Sequence, residues 1–206
     1  MTVLIRQVRL EDAKALLAIY QPYVEETAIS FEYELPSLVE FTKRIKAIQS
    51  AYPYLVLEKD GVLIGYAYAS AFHERQAYAW SVEVTIYLDQ SARGHGLGQI
   101  LYQELECLLE QMGFLNLNAC IAWTKEASPF LNNRSQAFHQ KLGYKIVGHF
   151  NNAGFKFNSW FDMIWMEKLI GQHTSQPPKI ISFSELLASK NLVEPWQVLL
   201  TESENN

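Results

Sequence analysis

Residues 91–100, SARGHGLGQI, put three glycines at alternate positions between two runs of opposite character. Ahead of them AYAWSVEVTIYLD (77–89) reads as a strand. Behind them Leu97, Leu101, Leu105 and Leu108 recur at helical spacing. Each glycine costs roughly 0.5–1 kcal/mol in lost order relative to alanine, so three in ten residues ask for a use. A strand, a bare turn and a helix N-terminus make an anion site, because unpaired first-turn N–H groups face outward and missing side chains let a phosphate approach the backbone. Two common phosphate loops are excluded by spacing. The GK[ST] of a nucleotide-triphosphate loop is absent, since Gln99 and Ile100 follow Gly98, and a GxGxxG reading would need glycine at Gln99.

The flanking chain supplies the rest of a layered domain. LIRQVR (4–9) reads as a strand, and residues 11–26 as a helix with Leu16, Tyr20, Tyr23 and Val24 on one face. After ELPS, Ser37 and Glu40 stand at capping-box spacing before a helix striped by Phe41, Ile45 and Ile48. YLVLE, KDG and VLIGYAYASAF form a hairpin signal. Beyond the glycine loop and its helix, which Gly113 is placed to stop, come a strand at 114–123 and a short helix ended by Gly143. Strands at 144–150 and 159–170 complete the set. Strands in mixed order with helices predict an α+β sheet flanked by helices. From Gly171 the texture changes: GQHTSQPPK is linker-like, FSELLASKNLVEPWQVLL is amphipathic, and ESENN is a polar end expected to fray. The boundary is placed near residue 170, giving a domain over 1–170 and an extension over 171–206.

Composition narrows the function classes. The 206 residues are 49% hydrophobic and 19% charged, with a formal charge of −5, which argues against broad nucleic-acid binding. No apolar run approaches the ~20 residues that span a bilayer, and the amino terminus has no signal-peptide pattern. A cytoplasmic protein is the default, with Cys107 and Cys120 read as reduced, buried thiols. The five histidines show no metal-ligand spacing, so no metal is expected.

The pattern Arg93-x-x-Gly96-x-Gly98 after a strand ending in YLD resembles the acetyl-CoA pyrophosphate loop of the GCN5-related N-acetyltransferases. Asn132-x-x-Ser135, His139 and LGY (142–144) resemble the last cofactor-contacting helix of that family. Residues 52–89 and 154–166 are similar to its phosphinothricin and methionine sulfone acetyltransferase branch. The likeness runs in register from residue 1 to about 170. It implies that main-chain groups of Ile86, Tyr87 and Leu88 pair with the pantetheine arm of acetyl-CoA. It also implies that the segment Arg93, Gly94, His95, Gly96, Leu97 and Gly98 holds the pyrophosphate, aided by Asn132 and Ser135.

An alkyl amine with a pKa of about 10 is protonated near neutral pH and needs a base before it can attack a thioester. Glu83, mid-strand in an apolar run, matches the branch's glutamate and is the implied base; a solvent-facing place on a half-exposed strand is the alternative. His139 stands where many members carry a tyrosine acid, and is open to three roles: proton donor, substrate contact, or hydrogen-bonded structural histidine. Tyr87 is a second candidate donor and substrate contact. Phe31 and Arg75 match an aromatic wall and an arginine that would clamp a carboxylate, and His73 replaces a lysine of related enzymes. The resemblance thus implies a homodimeric enzyme acetylating a small amine, an amino acid or an analogue of the phosphinothricin or methionine sulfone kind. Another amine, such as a polyamine or a protein amino group, is the alternative acceptor. A non-catalytic acyl-CoA sensor would keep the loop and could dispense with Glu83.

Overall fold

The computed structural model describes residues 2–190 and 196–198; the polar ESENN end lies outside the described residues. Eight strands form one sheet: β1 (Val3–Gln7), β2 (Tyr54–Lys59), β3 (Val62–Ala71), β4 (Ser81–Leu88), β5 (Asn116–Trp123), β6 (Lys145–Lys156), β7 (Ser159–Leu169) and β8 (Trp196–Val198). Their order across the sheet is β6-β7-β5-β4-β3-β2-β1-β8. All neighbours are antiparallel except β4 and β5. The helices are α1 (Ala13–Glu25), α2 (Leu38–Gln49), α3 (Leu97–Met112), α4 (Arg134–Lys141) and α5 (Phe183–Lys190).

Each sheet face has its own core. One face carries Leu55, Leu57, Ala67, Val82, Val84, Leu117 and Ile164 against Leu101, Leu105, Leu108 and Leu109 of α3. The other packs Tyr54, Val56 and Tyr66 against Leu16, Tyr20 and Tyr23 of α1 and Phe41 and Ile45 of α2. The period-two alternation of β2–β4 therefore buries both faces, which is why these strands read as nearly continuous apolar runs. Ser37 caps α2 by accepting from the Glu40 amide at 3.2 Å, but the Glu40 carboxylate turns to Arg44, so the capping box is half made.

Two expectations change. Strand β6 runs past Phe150 to Lys156 through an irregularity at 150–154 and turns into β7 at Phe157 and Asn158, both left-handed (φ 51° and 56°). The segment after Gly171 is laid against the body and does not stand off as a linker. The Ile181 amide donates to the Met112 carbonyl, the Trp80 indole donates to the Pro178 carbonyl at 2.7 Å, and Phe183 and Leu186 enter the core. The extension then adds β8 to the free edge of β1.

Candidate active site

The parallel pairing of β4 with β5 covers Ser81–Glu83 against Asn116–Asn118 and stops there. Both strands continue but separate, and the gap is a cleft lined by Val84, Thr85, Ile86 and Tyr87 on one side and by Ala119, Cys120, Ile121 and Ala122 on the other. Backbone groups facing such a gap lack a sheet partner, so the cleft offers a ladder edge inside the molecule. The Asp89 amide donates to the Ile64 carbonyl of the β3 side, and alternation along an antiparallel pair then turns Tyr87 and Thr85 toward β3. Val84, Ile86 and Leu88 face the cleft. Of the three expected main-chain partners of a pantetheine arm, Ile86 points into the cleft and the other two are corrections. Leu88 points the same way but its amide and carbonyl are both held by the Tyr23 hydroxyl, and the main chain of Tyr87 is spent on β3. The sequence reading missed Val84. It also missed Tyr23, whose hydroxyl donates to the Leu88 carbonyl (2.6 Å) and accepts from the Leu88 amide (3.0 Å). Tyr23 looked like one more residue of an apolar helix stripe, and nothing in that pattern marks a working hydroxyl.

At the mouth of the cleft the three glycines have separable causes. Gly94 and Gly96 are left-handed, with φ of 84° and 75°, where other residues are strained. Gly98 is helical, and a Cβ there would sit 2.7 Å from a Leu88 methyl, so it lets α3 close onto the end of β4. Gly96 caps α3 without a side-chain hydrogen bond; its carbonyl takes the Gln99 and Ile100 amides, which leaves the amides of Leu97 and Gly98 and the positive end of the helix dipole facing outward. Leu97 is buried, so only its backbone can serve a ligand, and His95 is exposed beside it. The Arg93 guanidinium lies 4.9 Å from the centre of the Tyr23 ring, with Nη2 buried and without a hydrogen-bond partner. Arg93 borders a second hollow, of about 160 Å³, which it shares with Ile86, Leu88, Asn132 and Ser135. An uncapped helix end, a backbone without side chains and an orphaned guanidinium nitrogen fit a polyphosphate. The cleft behind them fits an extended arm.

Glu83 occupies the last paired rung before the strands part, opposite Ser70 on β3 and Asn118 on β5. It is half-buried, and burial raises its carboxyl pKa, with His73 acting in the opposite sense. Cys120 borders the same cleft. Contrary to the sequence reading, both cysteines are exposed. The Cys120 thiol is nonetheless pushed up to about 12, first by its desolvated surroundings and then by the charge of Glu83.

His139 is 3% exposed. Its Nδ1 lies 2.8 Å from the Ser135 carbonyl, which can only accept, so Nδ1 carries the proton. Nε2, 3.0 Å from the Tyr102 hydroxyl, must then accept. Both nitrogens are engaged, and burial pushes the ring pKa down to about 4. The arrangement is that of a neutral, hydrogen-bonded histidine whose one proton faces the helix backbone.

His73 and Arg75 lie exposed beyond the end of β3, where they border a hollow of about 360 Å³ with Tyr78. Phe31 comes from the loop after α1 and lies flat on Gly154, where a Cβ would meet its ring at 2.4 Å. That loop is held by Lys156, a residue the sequence reading did not single out. Its ammonium donates to the carbonyls of Val24 (2.7 Å), Thr27 (2.9 Å) and Ser30 (2.7 Å). Among the described residues no group of three or more His, Cys, Asp or Glu could hold a metal ion. No described helix is long and apolar enough to cross a membrane.

Comparison with known proteins agrees with this geometry. Residues 5–165 match the family model described as an acetyltransferase (GNAT) domain. The chain is 34% identical over 159 residues to a phosphinothricin N-acetyltransferase of Streptomyces viridochromogenes, covering 77% of this chain and 83% of the relative. It is 28% identical over 182 residues to an L-methionine sulfoximine/L-methionine sulfone acetyltransferase of Pseudomonas aeruginosa, covering 86% of this chain and all of the relative. The crystal structure of a GNAT superfamily phosphinothricin acetyltransferase from Sinorhizobium meliloti in complex with AcCoA superposes with a TM-score of 0.79 at 34% identity. That match covers 87% of this chain and 94% of the other. With its split strands, its uncapped glycine turn and a family match over most of its length, the chain belongs to the GNAT acetyltransferases.

Proposed function

We propose that this N-acetyltransferase uses acetyl-CoA to acetylate the amine of an amino acid or amino-acid analogue. The observation that carries the reading is Glu83 on the final rung before the cleft opens, with its pKa raised by burial. A carboxylate there meets an incoming ammonium beside a thioester lying along Val84 and Ile86. Glu83 takes a proton from the ammonium, and the freed amine adds to the thioester carbonyl. On collapse the nitrogen gives its second proton to solvent water and sulfur leaves as the CoA thiolate. Acetyl-CoA supplies the acyl group; the glycine turn and Arg93 hold its pyrophosphate, with Asn132 and Ser135 beside them.

Neither sequence-nominated donor is well placed to serve the thiolate. The His139 proton is committed to Ser135. Tyr87 is four residues from Glu83, about 13 Å at ~3.3 Å per residue. With a parent thiol pKa near that of cysteine at ~8.5, the thiolate departs as such and is protonated by solvent. Arg75 and His73, beyond the opposite end of Glu83, are assigned to the acceptor carboxylate, and Phe31 to the pocket wall.

We read residues 1–170 as the catalytic body and 171–206 as an appended brace, a division supported by the family match ending at residue 165. A cytoplasmic homodimer is the form we assign. The exposed Val147, Phe150, Phe155 and Trp160 on β6 and β7, at an unpaired edge of the sheet, support the dimer. Sedimentation equilibrium of the wild type and of Phe150→Glu tests it, with a monomeric variant expected.

The test of function is CoA-thiol release from acetyl-CoA with a panel of amines: phosphinothricin, methionine sulfone, the common amino acids, spermidine and a lysine peptide. Wild type and Glu83→Gln are compared. Saturable turnover on an amino acid, reduced about 10²–10⁴-fold in the variant, is expected. Equal rates in the two proteins would remove Glu83 as the base, and turnover confined to spermidine would replace the acceptor class.

A further inference from the structure

On the α1/α2 face of the sheet, Tyr66 stands opposite Tyr87, Tyr68 opposite Thr85, and Ser70 opposite Glu83. The row that ends at the carboxylate therefore begins at a set of aromatic rings. There Tyr20, Phe41, Tyr54, Tyr66, Tyr68 and Tyr87 wall a cavity of about 320 Å³, with Glu32 and Arg44 at its outer rim. The rings of Tyr54 and Tyr68 are stacked at 4.8 Å and those of Tyr54 and Tyr66 at 5.8 Å, forming a flat aromatic wall. Tyr54 and Tyr66 are 2% and 1% exposed, so the inner wall of the cavity is built of buried rings. A concave hollow walled by aromatic rings, with a charged pair among its lining residues, has the character of a small-molecule site.

We infer that this cavity receives the side chain of the acceptor and that the acceptor is an aromatic amino acid. The inference rests on the reading of Glu83 as the base. Tyr68 is two rungs from Glu83, about 7 Å at ~3.3 Å per residue, the reach from an amino nitrogen to the far part of an arylmethyl group. The carboxylate-binding candidates Arg75 and His73 lie past the other end of Glu83, beyond Ala71. An α-amino acid held at Glu83 thus points its carboxylate one way and its ring the other. Edge-to-face and stacked contacts select a flat ring, and a lining with five tyrosines offers hydroxyls to one with a polar edge, a phenol or an indole.

Calorimetric titration of the CoA-saturated protein with L-tyrosine, L-tryptophan and methionine sulfone tests this without turnover. Ile48→Trp fills the cavity from its rim and Tyr68→Phe removes a hydroxyl; neither position touches the CoA cleft. L-Tyrosine is expected to bind at least tenfold more tightly than methionine sulfone. Ile48→Trp should weaken it about tenfold and Tyr68→Phe several-fold, with CoA affinity intact as the sign of a folded protein. Equal or tighter binding of methionine sulfone, or tyrosine binding that neither variant alters, would overturn the inference. Tyrosine that binds but is not acetylated when acetyl-CoA replaces CoA would overturn its assignment as acceptor. Acetylation of methionine sulfone alone would overturn the inference and leave the proposed function standing.

Discussion

Lys156→Met is the perturbation whose size the structure specifies best. The ammonium, on a residue 3% exposed, donates to three main-chain carbonyls at 2.7–2.9 Å, among them that of Val24 at the end of α1. Hydrogen bonds to a charged group contribute about 1.5–3 kcal/mol each, for a gross loss of roughly 5–9 kcal/mol. Methionine also removes the cost of burying an ammonium, several kcal/mol. The net destabilisation should therefore be about 3–5 kcal/mol, which for a chain of this size lowers Tm by about 10 °C or more. Urea unfolding followed by fluorescence, with the m-value checked for constancy, measures it. Lys156→Arg keeps the charge and should recover part of the loss. A cost below 1 kcal/mol for the methionine variant would mean that water satisfies those carbonyls unaided, and would refute the account of how the loop carrying Phe31 is held.

The acid limb of kcat/KM should report Glu83, with a midpoint above the ordinary glutamate value because burial disfavours its charge; the limb should vanish in Glu83→Gln. For His139 the folded pKa of about 4 lies below the ordinary value near 6.5, so the unfolded chain takes up the proton first. Stability is then full above pH 6.5 and falls by about 3 kcal/mol as pH drops toward 4, and His139→Asn should flatten that slope in pH-dependent urea unfolding. Gly96→Ala puts a Cβ on a left-handed residue at a cost of about 1–2 kcal/mol, and calorimetry should show weaker acetyl-CoA binding. Despite its exposure, Cys120 should resist iodoacetamide at pH 8, since its thiol is pushed up to about 12; peptide mapping should find Cys107 alkylated first.

Much of this site was legible because local chemistry marked it. Alternate glycines behind an apolar strand have few uses, and Glu83 was conspicuous between Val82 and Val84. What stayed hidden depends on geometry between distant segments. Which way the Tyr87 main chain points follows from the phase of hydrogen bonding to β3, and a sequence does not print that phase. Tyr23, Tyr102 and Lys156 act through single polar atoms on residues whose neighbours explain them equally well as packing. The β6–β7 turn was missed for another reason. It places Phe157 and Asn158 at positive φ without a glycine, and Phe157 stacks on Phe130 at 4.3 Å, so a tertiary contact accompanies what turn chemistry usually signals. The exposure of Cys120 has the same origin, since its side chain faces a gap that exists only because two strands diverge.

Adding β8 to β1 gives the sheet a handed valence. A sheet with two bare edges can be joined at both, and repeated joining makes a filament. Among the described residues one margin ends in the three-residue β8, while the twelve-residue β6 lies open at the other. Any edge-to-edge joining through β6 would then saturate once two chains had met. Truncation before β8 would bare the edge of β1 and raise that valence from one to two.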